Sequence, residues 1–306
     1  MTRNVIQPCA PLSLSIEPTD LCNLHCLECP TGTDTLTRKK GFMELSFYKD
    51  IIDQIHPSLF YLNLHFQGEP YLHPQFTEMV HYAKSKKLYV STSTNGHFLT
   101  SENIRKTIAS GLDRLIISLD GTDPETYSHY RKGGNLDQVI EGIKEFVRIR
   151  REYHSGKPKI ILQFIVLRSN QHQLKEIRKL SKMLDVDKLE LKTAQLCDFK
   201  NGNPLMTDLP EYCRYKKSGS SSNQEITYEI RNKLPNRCFR MWTSCVITWD
   251  GWVVPCCFDK DATYRMGNLN SESFIRIWKS DLYFKFRKKI LTSRKEIPIC
   301  RNCTEE

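Results

Sequence analysis

Three cysteines within eight residues, Cys22, Cys26 and Cys29, constrain this chain more than any other feature. They follow Leu12–Ile16, a short apolar segment that reads as a strand, so they occupy a strand-end loop. Structural zinc wants four ligands, and no further Cys or His completes this set at a suitable offset. His25 directly adjoins Cys26, which makes joint ligation of one ion awkward. Three soft thiolates instead suit an iron–sulfur cluster, and with three ligands one iron of a four-iron cluster keeps an open position for chemistry.

The chain holds twelve cysteines in 306 residues. No apolar run approaches the roughly 20 residues of a membrane span. The longest, Ile160–Leu167, is broken by Gln163, and Met1–Ala10 lacks the apolar stretch of a secretory signal. A cytoplasmic protein without membrane contact is the expectation, and in a reducing cytosol the cysteines point to metal ligation or catalysis before disulfides. Hydrophobic residues at 39% and charged residues at 26% support a packed core and exclude global disorder. The formal charge of +10 favours anionic partners. The basic residues are scattered, however, with no basic–aromatic strip, so a solvated basic surface is favoured and nucleic acid is disfavoured.

Strand and helix patterns alternate along the first two thirds. Strands are expected at Leu12–Ile16, Phe60–Phe66, Leu88–Thr92, Arg114–Leu119, Lys159–Leu167 and Lys188–Lys192. Helices are expected at Ser46–Ile55, Gln75–Lys86, Ser101–Ser110, Leu136–Arg151 and Gln171–Leu184. Helical crossovers imply parallel strands, in an α/β fold that is either doubly wound or barrel-like. Chemistry-bearing segments follow the strands: Thr19-Asp20, Gln67-Gly68-Glu69-Pro70, Asn95-Gly96 and Ser118-Leu119-Asp120. Such gathering at carboxyl ends favours the barrel. Thr193–Asn236 reads as a polar bridge, Ser244–Thr248 and Trp252–Cys256 as a hairpin about Asp250-Gly251, and Phe274–Lys289 as a helix.

A second thiol set lies beyond the bridge. Cys238, Cys256, Cys300 and Cys303 amount to a close Cys-x2-Cys pair plus two distant thiols, a complete four-ligand set for zinc or iron–sulfur. Cys245 and Cys257 are expected to pack, and Cys9, Cys197 and Cys213 to be buried or free thiols.

The Cys22-x3-Cys26-x2-Cys29 loop after the first strand of a six-fold βα repeat resembles the radical S-adenosylmethionine superfamily over about residues 12–195. The resemblance implies a partial (β/α)6 TIM-like barrel whose [4Fe–4S] cluster holds the methionine amino and carboxylate groups of S-adenosylmethionine on its open iron. The reduced cluster would split the sulfonium to a 5′-deoxyadenosyl radical, which abstracts a substrate hydrogen. A reductant such as flavodoxin or ferredoxin is implied as a partner. Gly68-Glu69-Pro70 resembles the family's GGEP element, which meets the methionine ammonium, with Gln67 in place of the first glycine. Ser118 and Asp120 would meet methionine carboxylate or ribose hydroxyls, Arg131 would pair with the carboxylate, and Asn95 is a further cofactor candidate. Where the family commonly has an apolar residue near adenine, before the third cysteine, this chain has Glu28.

Residues 237–306 resemble the shortened "twitch" form of the SPASM domain, a small α+β unit with a β-hairpin, through Cys238, Gly251, Cys256-Cys257-Phe258-Asp259, Gly267-Asn268-Leu269 and Ile277-Trp278. The expected organisation is therefore a radical SAM barrel at 1–195, a bridge at 196–236 and an auxiliary-cluster domain at 237–306. One auxiliary [4Fe–4S] cluster on Cys238, Cys256, Cys300 and Cys303 is implied. Such a cluster could take an electron from a substrate radical, so the leading expectation is dehydrogenation of a small polyhydroxylated metabolite of sugar or aminocyclitol type. Cross-linking or side-chain oxidation of a ribosomally made peptide is the alternative. With 21 residues before Cys22 there is little room for a leader-binding module, although a separate chain could supply one. A non-catalytic zinc or nucleic-acid-binding protein is a distant third reading. No catalytic side chain is singled out.

Overall fold

Period-two alternation builds the central sheet. The computed structural model describes residues 10–218 and 226–304, so Cys9 and most of Ser218–Asn223 lie outside the described residues. Strands β1 (Ser13–Ile16), β2 (Tyr61–Asn63), β3 (Tyr89–Thr94), β4 (Arg114–Ser118), β5 (Lys159–Val166) and β6 (Lys188–Thr193) pair in sequence order, each parallel to the next. On one face, Leu14, Ile16, Leu62, Val90, Leu115, Ile117, Leu162 and Phe164 are buried beneath helices. The other parity is mostly polar: Ser15 sits beside Asn63, Asn63 beside Ser91, and Ser118 beside Gln163. An ordinary closed barrel fills this interior with branched apolar side chains. Here the mixed α/β sheet forms a partial barrel whose inner wall carries polar side chains among apolar ones such as Ile116, Val246 and Val254.

The crossover helices are α1 (Leu45–Ile55), α2 (Phe76–Ser85), α3 (Ser101–Ala109), α4 (Pro124–Tyr130), α5 (Leu136–Glu152) and α6 (Leu174–Met183). Thr100 and Asn135 cap α3 and α5 by accepting the amides of Asn103 and Gln138. Helix α4 is absent from the sequence expectation. Its signal is Asp123-Pro124: Asp123 accepts the Thr126 amide, and Pro124 fixes the first helical φ. Strand β2 is shorter than expected because the chain turns after Leu64 toward Gly68; Leu64 still donates to the Ser91 carbonyl at 2.8 Å. The start of the expected Gln171–Leu184 helix is a 3-10 turn, Gln171–Gln173.

The bridge carries an antiparallel pair, β7 (Tyr215–Ser218) and β8 (Thr227–Ile230). After the short helix α7 (Arg240–Thr243), the expected hairpin forms from β9 (Ser244–Ile247) and β10 (Trp252–Val254). The hairpin does not stand apart. Strand β9 pairs parallel with β1, and β11 (Gly267–Asn268) follows β10, so the sheet runs on as nine strands in the order β11-β10-β9-β1-β2-β3-β4-β5-β6. The single helix expected over Phe274–Lys289 is two, α8 (Phe274–Trp278) and α9 (Asp281–Ser293). Ser280 breaks it by accepting the Tyr283 amide as a new N-cap.

A buried ion pair binds the end of β1 to the C-terminal part. Arg38 grips Glu17 with two hydrogen bonds of 2.6 and 2.5 Å, and its Nε donates to the Lys260 carbonyl at 3.2 Å. Glu17 also accepts the Trp249 amide at 3.2 Å. Burial pushes the Glu17 carboxyl above its usual range, and the guanidinium opposes that push. Removing one partner leaves an uncompensated buried charge, so Arg38→Met is expected to cost about 3–5 kcal/mol of stability, measured by denaturant unfolding. A loss below about 1 kcal/mol, the scale of a surface ion pair, would show that the pair does not hold the fold together.

Candidate functional site

The loops at the carboxyl ends of β1 to β6 enclose a cavity of about 370 Å³. Cys22, Cys26 and Cys29 line it together with Gly68, Glu69, Asn95, Ser118 and Arg131. Eight of the ten cofactor and first-set metal candidates named from the sequence thus face one volume; Asp120 and Pro70, both buried, are not among its lining.

Close backbone approach at Gly68 sets the geometry. Gly68 has φ of +74°, and a Cβ there would lie 2.5 Å from the Thr19 carbonyl oxygen and 2.6 Å from that of Leu21. Only glycine admits this contact. The next amide, Glu69, donates to the Leu21 carbonyl at 2.7 Å, which fastens the β2 loop to the chain entering Cys22. The Glu69 carboxyl accepts Thr94 Oγ1 at 2.8 Å and the amides of Asn95 and Tyr71 at 2.7 and 3.2 Å. Burial pushes its pKa up to about 7, against those three donors. Asn95 donates to Asn23 Oδ1 at 2.7 Å and approaches Cys22 Sγ at 3.8 Å.

Arg131 is held by a carboxylate of this chain. Its Nε and Nη2 donate to Asp120 Oδ2 at 2.7 and 2.5 Å, and Nη1 approaches Cys26 Sγ at 3.9 Å. Asp120 Oδ1 accepts the Ile165 amide at 2.6 Å. Asp120 thus orients Arg131, with both its oxygens engaged within this chain. Pro70 likewise opens a buried 3-10 turn, Pro70–Leu72. Burial pushes the Cys22 thiol up to about 11 and raises Cys26 as well.

Glu28 does not face an adenine-sized slot alone. Its carboxylate accepts the Cys197 amide at 2.7 Å and Asn203 Nδ2 at 2.9 Å, which latches the bridge across the cysteine loop. The sequence marks Cys197 only as an isolated thiol of the bridge, and the structure brings its amide to this loop. The neighbouring Leu196 amide donates to the Tyr215 hydroxyl at 2.8 Å, and the Leu196 carbonyl accepts Asn302 Nδ2 at 2.7 Å. Asn302 lies between Cys300 and Cys303. Two bridge residues therefore join the loops of the two cysteine sets. His65, half-buried and with desolvation pushing its pKa down to about 4, also lines the cavity.

The second set converges as expected. Cys238, Cys256, Cys300 and Cys303 line one small cavity beside Met241, Phe286 and Ile290. Burial pushes Cys300 up to about 11 and Cys256 well above the usual thiol range. Buried Arg294 donates to Cys303 Sγ at 3.4 Å. Cys245 is buried against Tyr283 and Arg287. Cys257 does not pack: it is exposed, and Arg240 Nη1 approaches its sulfur at 3.9 Å. Strand β10 ends at Val254, so strand alternation no longer governs it.

Comparisons with known proteins agree with this geometry. The chain matches the Radical SAM superfamily over residues 16–180 and SPASM, an iron–sulfur cluster-binding domain, over residues 238–304. It is 29% identical to the tungsten-containing aldehyde ferredoxin oxidoreductase cofactor-modifying protein of Pyrococcus furiosus, across 95% of this chain and 86% of that protein. It is 25% identical to the PqqA peptide cyclase of Streptomyces rochei, across 91% of this chain and 77% of that one. Among solved structures it resembles BtrN in complex with AdoMet and 2-DOIA, with a TM-score of 0.59 at 18% identity over 97% of this chain and 94% of that one, a likeness of fold. Among the described residues no helix is long and apolar enough to cross a membrane. Since the superfamily match spans more than half of its length, the chain belongs to the radical SAM superfamily and carries a SPASM domain, which together imply a SAM-binding [4Fe–4S] cluster and auxiliary iron–sulfur ligation.

Proposed function

We propose that this enzyme cleaves S-adenosylmethionine, removes a hydrogen atom from a small polyhydroxylated metabolite, and passes the electron left on that carbon to an auxiliary cluster as the hydroxyl proton departs. The net change is a dehydrogenation. The observation that carries the reading is the pairing of two thiol sets: three thiols in a cavity that polar and charged side chains also line, and four in a separate small one.

The residues fit these groups. Three thiols line one cavity and four line another, donor sets of the soft chemistry that iron–sulfur clusters take. Buried thiols lie ready to ionise on soft metal and are unfavourable as free thiolates. Cys22, Cys26 and Cys29 would hold the SAM cluster, and Cys238, Cys256, Cys300 and Cys303 the auxiliary one. When bound, the first supplies reductive cleavage of the sulfonium and the second a one-electron acceptor.

The remaining roles belong to the chain. Glu69, with lone-pair capacity beyond its three donors, offers a carboxylate to the methionine ammonium. Arg131, oriented by Asp120, presents fixed positive charge beside the cysteine loop. Ser118 and Asn95 line the same wall. His65 and Gln163 meet the substrate from the inner face, where their polar groups suit hydroxyls. Peptide maturation is the second reading, supported by the PqqA peptide cyclase relative. Reductive delivery by a flavodoxin or ferredoxin completes the cycle under either reading.

Anaerobically reconstituted enzyme is expected to bind about eight irons with matching sulfide, the sum for two four-iron clusters. Cys22→Ala, Cys26→Ala and Cys29→Ala should each abolish release of 5′-deoxyadenosine, whereas Cys300→Ala should spare that release better than product formation. Continued 5′-deoxyadenosine release by the first three variants would sink the assignment.

Glu69 adds a pH test. An ammonium partner needs the ionised carboxylate, and protonation through its pKa of about 7 removes it. Equilibrium affinity for S-adenosylmethionine should therefore fall about tenfold from about pH 8 to about pH 6, following the ionised fraction. Glu69→Gln should bind weakly with a flat profile; a flat profile in the unmodified enzyme would remove Glu69 from this role.

A further inference from the structure

We propose that the rim of the cavity binds an anionic group of the substrate, a carboxylate or a phosphoryl, through Lys192, Arg214 and Lys260. The inference rests on the reading of this cavity as the substrate site and names the chemistry that site selects.

The three cations come from separate parts of the chain and line one volume. Lys192 closes β6. Its ammonium lies 3.1 Å from Glu190, but that carboxylate is already shared with Arg114 at 3.1 Å and Lys188 at 2.9 Å. One negative charge among three cations leaves a positive remainder. Arg214 enters β7 and folds back over the same strand end, its Nε donating to Thr193 Oγ1 at 2.7 Å.

Lys260 arrives from the C-terminal domain, and its position is built. Its carbonyl accepts Arg38 Nε, while the next residue, Asp261, takes the Thr37 amide and hydroxyl at 2.7 and 2.6 Å. Both neighbouring carboxylates are used elsewhere, Asp261 by Thr37 and Asp259 by the amides of Thr263 and Tyr264. Among the described residues no carboxylate lies within ion-pair distance of the Lys260 ammonium, which lines the cavity with Lys192 and Arg214.

Two carboxylates line the same cavity, Glu28, which accepts from Cys197 and Asn203, and Glu69, deep among Thr94, Asn95 and Tyr71, so the three rim cations outnumber them. S-adenosylmethionine adds a carboxylate but also an ammonium and a sulfonium, so it does not neutralise the rim. A cleft whose mouth carries an excess of one sign of charge concentrates ligands of the other sign. The substrate is therefore an anion with hydroxyl or amide groups, its charge at the rim and its reacting carbon toward the cysteine loop.

The test reads contact at Lys260 and not turnover, so it fails separately from hydrogen abstraction. Reconstituted holoenzyme with saturating S-adenosylmethionine is treated with limiting acetic anhydride, and acetylation of Lys260 is measured by peptide mass spectrometry against exposed Lys179 on α6. Inorganic pyrophosphate and succinate are the probes, with ionic strength held by sodium chloride. At a probe concentration twice its dissociation constant, Lys260 acetylation should slow about threefold by mass action while Lys179 is unchanged. Protection by pyrophosphate alone identifies a phosphoryl group, by succinate alone a carboxylate, and by both a general anion site. The proposal is overturned if neither probe protects, if Lys179 slows equally, if S-adenosylmethionine alone gives the full protection, or if Lys260 fails to react before any probe is added.

Discussion

The Glu17–Arg38 pair holds this molecule in one piece where its sequence is most divided. Glu17 ends β1, five residues before Cys22, and Arg38 belongs to the loop that returns toward α1. Through the Trp249 amide and the Lys260 carbonyl, the same two side chains fix the β9–β10 turn and the loop after Cys256. The parallel pairing of β9 with β1 places those segments there, and the ion pair fixes their register. The desolvation of two buried charges is tolerated because each also takes or gives a backbone hydrogen bond. The first cysteine loop, the cavity rim and the second cysteine set therefore share one anchor.

The partial barrel turns the usual logic of its architecture inside out. Helices cover an apolar outer parity, while the inner parity offers Ser15, Asn63, Ser91, Ser118 and Gln163. A wholly apolar interior would pack shut, at the density normal for protein cores. Polar side chains with few internal partners keep a volume that a hydrophilic ligand can fill. The same alternation thus supplies both the core and the reaction chamber, and the strand-end loops supply the thiols and charges above it.

How much of this could be read from the sequence depends on the range of the interaction. The thiol sets were legible because ligand spacing is local and chemically specific: Cys22, Cys26 and Cys29 in one loop, Cys300 and Cys303 in another. The six parallel strands were legible through alternation. Helix α4 had a local signal in Asp123-Pro124 that apolar periodicity alone overlooks. The pairing of β9 with β1 had none, because a strand's sequence states that it needs a partner and not which one. Glu28 looked like a departure from an adenine-side position, and only the fold shows it latching Cys197 and Asn203, nearly 170 residues away. Asp120 and Arg131 were both named as ligand contacts; their mutual ion pair appears only once β4 and α4 are placed.

The joining of the two thiol loops has a consequence for electron flow. Tunnelling between redox centres needs a fixed, packed medium, and the only covalent route between Cys29 and Cys300 runs through the whole intervening chain. Glu28, the Cys197 amide, Leu196, Tyr215 and Asn302 shorten that route to a few hydrogen bonds. Phe199 stacks on the Tyr215 ring with centroids 4.4 Å apart, which seals the bridge against water. Under the proposed function, ordered protein with Leu196 clamped from both sides would lie between a substrate radical in the cavity and the second thiol set. The polar bridge, which the sequence marks only as a linker, is the element that makes the two sites one device.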